Sequence, residues 1–165
     1  MKNLQELVAE VANFVAKYPE KPIFSLRPTL AAYQGQDWQQ YIAFEDTHYT
    51  RQVVCQCPAF EILVLGWQVG QGSPFHNHAG QGCLLRVMQG VLHETRWQWG
   101  KTHLNCYTSN AISYIDDQMG VHQIENRGPQ PAVSLHIYAP GFFCAQKSSS
   151  PEAILLNPGI STKTV

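Results

Sequence analysis

The stretch GQGSPFHNHAGQGCLLRVMQG, residues 70–90, decides how this chain is read. His76 and His78 stand two apart within it. On a β-strand, side chains two apart project from the same face. Two imidazoles aimed into one cavity can share a divalent metal ion. Glycines flank the pair and permit tight turns. A third ligand is expected from another strand. His122, in MGVHQIEN behind Gly120, is the candidate. His48, His93 and His103 lack such a context and read as surface or outer-layer residues.

Working outward, the sequence predicts strands near 51–56, 60–69, 74–79, 83–88, 90–99, 103–107, 111–115, 121–126 and 132–138. Short β-branched and aromatic runs, separated by Gly, Pro, Asn and Asp at this spacing, predict a sandwich or barrel. Ahead of them, Leu4, Leu7, Val8, Val11, Phe14 and Val15 form a helical stripe over residues 3–17, ended by Pro19. Residues 37–45 predict a second short helix with Asp37 as its N-cap. Near the C-terminus, AILL at 153–156 is expected to add an edge strand. Trp97 and Trp99 alternate and are expected to pack in the barrel. Cys55 and Cys57 would share a strand face, but no second Cys pair follows, which argues against a structural zinc site. The expected organisation is one domain: a helical N-terminal part (1–46), a barrel (47–145) and a C-terminal extension (146–165).

Composition narrows the function. The 165 residues suit one domain with a sizeable core. Charged residues make up 14%, against about 25% in an average domain. The net charge of −1 argues against a nucleic-acid binder, which carries a basic face. No apolar run approaches the ~20 residues of a membrane span. Glu6 and Glu10 interrupt the N-terminal apolar stretch, so it does not read as a signal-peptide core. Five cysteines, an odd number, predict reduced thiols and a cytoplasmic location.

The two histidine segments resemble the paired motifs of the cupin barrels. Gly70, His76, His78 and Gly90 fit the first motif. Gly120, His122 and Asn126 fit the second, without the Pro usual before its Gly. Where most metal cupins carry a Glu ligand, this chain has Cys83. Three neutral histidines leave an octahedral ion several open positions, a device for activating oxygen on Fe(II).

Residues from about 47 to 144 more specifically resemble the cysteine dioxygenases. The resemblance is carried by YTR at 49–51, the segments 66–95 and 117–126, and PAVSLHIYAP at 131–140. It implies a mainly β, cupin-type jelly-roll barrel with a small N-terminal helical cap. It also implies a monomeric non-haem Fe(II) enzyme, one iron per chain, that oxidises free L-cysteine with O2 to cysteine sulfinic acid. In that resemblance His76, His78 and His122 match the iron ligands. Arg51 matches the residue that grips the substrate carboxylate, and Tyr49 helps line its pocket. Tyr138 matches the active-site tyrosine, oriented by His136, which Ser134 orients in turn. Trp67 matches a tryptophan near the active site. Cys83 matches a cysteine that joins covalently to the tyrosine in some members, and many bacterial members have Gly there. A Cys83–Tyr138 thioether and an inert buried Cys83 thiol both stay open. Cys144 falls one residue away from a cysteine at the family's pocket mouth and is assigned no chemistry.

Three other functions compete. A dioxygenase of 3-mercaptopropionate or another small thiol would commonly have Gln at the Arg51 position. A non-catalytic cupin would bind a metal or small ligand as a sensor or store. A cupin isomerase or hydrolase using Zn or Mn is disfavoured by the missing Glu and by the Ser134–His136–Tyr138 strand.

Overall fold

A computed structural model describes residues 1–78 and 80–155. Helix α1 (Leu4–Lys17) carries the expected stripe, with Leu4, Leu7, Val11 and Val15 buried. A 3-10 turn (Ile23–Leu26) leads into α2 (Arg27–Ala32), neither of which the sequence pattern announces. Among the described residues ten strands follow: β1 (Thr50–Cys57), β2 (Phe60–Trp67), β3 (Phe75–His76), β4 (Gly82–Gln89), β5 (Val91–Gln98), β6 (Lys101–Thr108), β7 (Ile112–Ile115), β8 (Val121–Glu125), β9 (Ala132–Ala139) and β10 (Lys147–Ser148). They form two antiparallel five-stranded sheets in jelly-roll fashion, ordered β1-β2-β9-β4-β7 and β10-β3-β8-β5-β6.

The first sheet is covered on both faces. Ile62, Val64, Leu84, Leu135 and Ile137 pack against Leu7, Val11, Ile23 and Leu30 of the helical cap. Leu63, Leu65, Trp67, Leu85 and Val87 point the other way, toward Leu92 and Ile124 of the second sheet. Double burial explains why FEILVLGW is nearly continuous in apolar residues rather than alternating.

Four expectations need correction. Residues 37–41 form a 3-10 turn (Asp37–Tyr41), and Asp37 does not cap it. Its carboxylate instead accepts the Leu4 backbone N–H at 2.7 Å and the Tyr33 hydroxyl at 2.6 Å, so it ties the start of α1 to the end of α2. Replacing Asp37 with Ala is expected to cost about 2–3 kcal/mol, because it strands an N–H at a helix start and a buried phenol; urea unfolding measures this. Trp99 is not barrel packing. It is 84% exposed, and with φ +48 it shares the β5–β6 turn with Gly100, φ +76. Two positive φ values suit a tight hairpin turn that matches strand twist. The segment at 153–156 adds no strand: residues Pro151–Leu155 form helix α3, and residue 156 lies outside the described residues. The edge strand here is β10. Finally, the strand expected at 74–79 shrinks to Phe75–His76, so His78 lies beyond it.

Candidate metal centre and active site

β3 and β8 pair at His76 and His122, which stand directly opposite. His78 follows in the loop, where its backbone N–H donates to Asp117 Oδ1 at 2.7 Å. That 3-10 turn (Asp117–Met119) ends on Gly120 at φ +97. A Cβ on Gly120 would sit 2.2 Å from the Trp97 carbonyl oxygen, so this motif position admits only glycine. The motif's Asn126 is fully buried. Its amide donates to the carbonyls of Trp67 and Gln130 at 3.0 and 2.9 Å and so locks the end of β8 to the first sheet.

The ligand atoms of His76, His78 and His122 lie within 4.8 Å of one another. Their hydrogen bonds decide where the lone pairs go. His76 Nδ1 lies 3.0 Å from the Pro74 carbonyl, which can only accept, so Nδ1 carries the proton. His122 Nδ1 likewise donates to Glu94 Oε1 at 2.7 Å. Both rings therefore present bare Nε2 atoms, which face each other at 3.2 Å. Two lone pairs at that distance repel unless a cation lies between them. Two nitrogens each about 2.1 Å from one ion stand roughly 3.0–3.4 Å apart at cis or tetrahedral angles. Neither ring nitrogen of His78 has a hydrogen-bond partner among the described residues, although the ring is buried. An orphaned imidazole beside two converging lone pairs fits a metal ion. Burial lowers the His76 pKa to about 3 and holds His78 well below its usual value, with the neighbouring His122 adding to both shifts. Neutral imidazole is the form that ligates.

Glu94 is the residue that sequence reasoning missed here. It is buried on the inner face of β5. It accepts from His122, Arg96 Nη2 (2.9 Å), Asn105 Nδ2 (3.0 Å) and the Tyr107 hydroxyl (2.8 Å). Burial pushes its carboxyl up, but His122 and Arg96 outweigh burial and bring it down to about 2. The missed signal was a charge in the inward phase of a strand: Leu92 and Glu94 share that phase. A carboxylate behind a ligating histidine fixes its tautomer and raises its basicity. Glu94→Gln is expected to weaken metal binding about 10- to 100-fold, read by competition with a chelating dye.

Across the cavity, the first sheet presents one transverse row. Cys83, Tyr138, Glu61 and Gln56 are register partners on β4, β9, β2 and β1. One step along β9, Trp67 Nε1–H donates to Ser134 Oγ at 2.9 Å, and Ser134 Oγ lies 2.8 Å from His136 Nε2. Indole can only donate, so the serine proton is directed to Nε2. His136, kept neutral mainly by burial, then donates from Nδ1 to the Tyr138 oxygen at 3.0 Å. The Tyr138 proton is thereby directed away from His136. Burial, together with Cys83, holds that phenol well above its usual pKa. Cys83 is buried, and burial pushes its thiol up as well.

Arg51 reaches the same cavity, its guanidinium 5.6 Å from the centre of the Tyr138 ring. Tyr49 stacks on Trp67 with ring centres 4.5 Å apart. Tyr49, Arg51, His76, His78 and Tyr138 all line one cavity of about 170 Å3. Drug-sized ligands occupy about 300–1,000 Å3, so this cavity suits a small metabolite. A wider groove between α1 and β1 is lined by Asn3, Val8, Asp37 and Cys55. Its one carboxylate is already consumed by Leu4 and Tyr33. His48, His93 and His103 all stand apart from the cavity-lining residues.

Similarity to other proteins agrees with this architecture. The cysteine dioxygenase type I family model matches residues 3–149. Cysteine dioxygenase type 1 from Danio rerio is 33% identical over 146 residues, covering 82% of this chain and 66% of that protein. Its counterpart from Rattus norvegicus is 34% identical over 135 residues, covering 74% and 68%. The chain thus spans about two thirds of the length of these relatives. Among solved structures, a Klebsiella pneumoniae protein with a double-stranded β-helix domain superposes with a TM-score of 0.59 at 19% identity, covering 68% of this chain and 94% of that one. A cupin superfamily protein from Desulfitobacterium hafniense gives 0.51 at 14% identity, covering 59% and 83%. The structural likenesses show the cupin fold, and the match over residues 3–149 places the chain in the cysteine dioxygenase type I family.

Proposed function

We propose that the chain is a non-haem Fe(II) dioxygenase that converts the thiol of free L-cysteine and O2 to cysteine sulfinic acid. Residues 1–165 would act as one domain, monomeric, in a cytoplasmic, reducing compartment. The observation that carries this reading is the placement of Arg51 and Tyr138 on the wall of the same small cavity as His76 and His78. Iron, once held by His76, His78 and His122, would supply open coordination positions for the substrate's thiolate and amine and for O2, together with the redox chemistry.

The chain's own residues divide the remaining work. Arg51 offers a planar, permanently charged fork for the carboxylate. Tyr49, stacked on Trp67, closes the wall beside it. The chain of donors from Trp67 through Ser134 and His136 holds Tyr138 so that its hydroxyl proton faces substrate or oxygen. Positioning of this kind converts encounter into near-attack geometry. Cys83 stands opposite Tyr138 on the neighbouring strand, which supports a thioether between them, with O2 taking up the two electrons and two protons that its formation releases. Intact-mass analysis would read that bond as a loss of two hydrogens that Cys83→Ser abolishes.

The proposal is tested by loading metal-free protein with Fe(II) or Zn(II) and following oxygen with L-cysteine and 3-mercaptopropionate in parallel. Oxygen consumption with cysteine and Fe(II) alone is expected. A preference for 3-mercaptopropionate would overturn the substrate, and equal activity with zinc would overturn the metal.

A further inference from the structure

The three ligand candidates are not held in the same way. The rings of His76 and His122 are each oriented by a hydrogen bond from Nδ1, to the Pro74 carbonyl and to Glu94. The His78 ring has no such partner among the described residues. It also follows the end of β3, so strand pairing does not fix its backbone. Ring contacts with His76, His122 and Tyr138 limit its tilt. Where the ring starts from is decided by the main chain.

Two side-chain oxygens anchor that main chain. Asn77 Oδ1 accepts the backbone N–H of Gln146 at 2.8 Å, which ties the residue before His78 to the approach of β10. The His78 N–H itself donates to Asp117 Oδ1 at 2.7 Å. Asp117 opens the turn Asp117–Met119, which ends on Gly120 just ahead of His122. Its neighbour Asp116 is occupied within the turn. Asp116 Oδ1 accepts the N–H groups of Gln118 and Met119 at 3.0 and 3.1 Å, and Oδ2 accepts the Tyr114 hydroxyl at 2.8 Å. Asp116 therefore builds the turn, and Asp117 reaches out of it to the loop.

A hydrogen bond to a carboxylate is roughly twice as strong as one between neutral groups. We propose that Asp117 is the positioning residue for His78, locking this loop ligand to the turn that launches His122 so that the imidazoles converge before a metal arrives. A site ordered in advance binds more tightly because binding pays less ordering cost. This deepens the proposed function and rests on that reading only for a metal at the three histidines.

The experiment measures Zn(II) affinity by competition with chelating dyes of graded strength. It compares wild type, Asp117→Ala, Asp117→Asn, His78→Ala and the double variant Asp117→Ala with His78→Ala. Asp117 is exposed on its turn, so its replacement leaves the core in place. Asp117→Ala is expected to bind Zn(II) about tenfold more weakly. Asp117→Asn keeps an amide oxygen that can accept the same N–H, and should return to within about threefold of wild type. The double variant decides the route. A residue that acts through His78 has nothing to position once that ring is gone, so Asp117→Ala should cost no further affinity in the His78→Ala background. Additive losses would mean that Asp117 acts elsewhere, through His122 or its own charge, and overturn the proposal. Unchanged affinity in Asp117→Ala overturns it too, as does an Asp117→Asn variant as weak as Asp117→Ala. A wild type that bound no Zn(II) would overturn it together with the metal centre. If iron-loaded wild type bound metal but consumed neither thiol, the proposed function would fail, and the Zn(II) series would still decide the role of Asp117.

Discussion

Replacing His122 with alanine is expected to abolish metal binding and thiol oxidation together. His122 is the one ligand candidate braced from behind by a carboxylate, Glu94, at 2.7 Å. Its Nε2 faces that of His76 at 3.2 Å, so removing it dissolves the pair of converging lone pairs. Loss of an outer partner of a metal ligand typically costs 10- to 100-fold in affinity, and loss of the ligand itself should exceed about 100-fold. His122→Ala also leaves Glu94 with Arg96, Asn105 and Tyr107 still bound to it, so the carboxylate is not stranded. The variant should therefore fold. Metal analysis after dialysis, alongside oxygen uptake, checks the prediction; an iron-free variant that still oxidised thiols would reject the ligand assignment.

The second large effect is expected at Arg51. Arg51→Gln should lower kcat/KM for L-cysteine about 100-fold, because glutamine can offer neither the charge nor the paired donors that a carboxylate accepts. Metal content should stay unchanged, since the contacts that orient His122 and His76 are made by Glu94 and Pro74, not by Arg51. Arg51 belongs to an ion pair with Glu61, so its loss leaves that buried carboxylate with Gln56 alone. Double replacement, Arg51→Gln with Glu61→Gln, removes the stranded charge and separates this cost from the loss of substrate binding. Steady-state kinetics on both variants measures the difference; unchanged cysteine kinetics would reject the role of Arg51.

Much of the molecule was legible because its signals are local. The apolar run of β2, the period-two spacing of Ser134, His136 and Tyr138, and the stripe of α1 each declare an element and a face. The histidine motifs were legible for the same reason, although His78 reaches the centre from a loop rather than a strand. What escaped depends on partners distant in sequence. Glu94 gains its meaning from Arg96, Asn105, Tyr107 and His122, on three strands. Asp37 looks like the cap of its own turn until Leu4 and Tyr33 arrive from elsewhere. Glu61, at the start of an apolar run, resembles a strand end facing water; β1 and β9 on either side bury it. No helix among the described residues is long and apolar enough to cross a membrane.

The most direct test of the account is the fate of isotopically labelled O2 given to iron-loaded protein with L-cysteine. The account predicts cysteine sulfinic acid as the product, with both added oxygens carrying the label. No oxygen consumption at full iron occupancy, or a disulfide product containing no labelled oxygen, would contradict it.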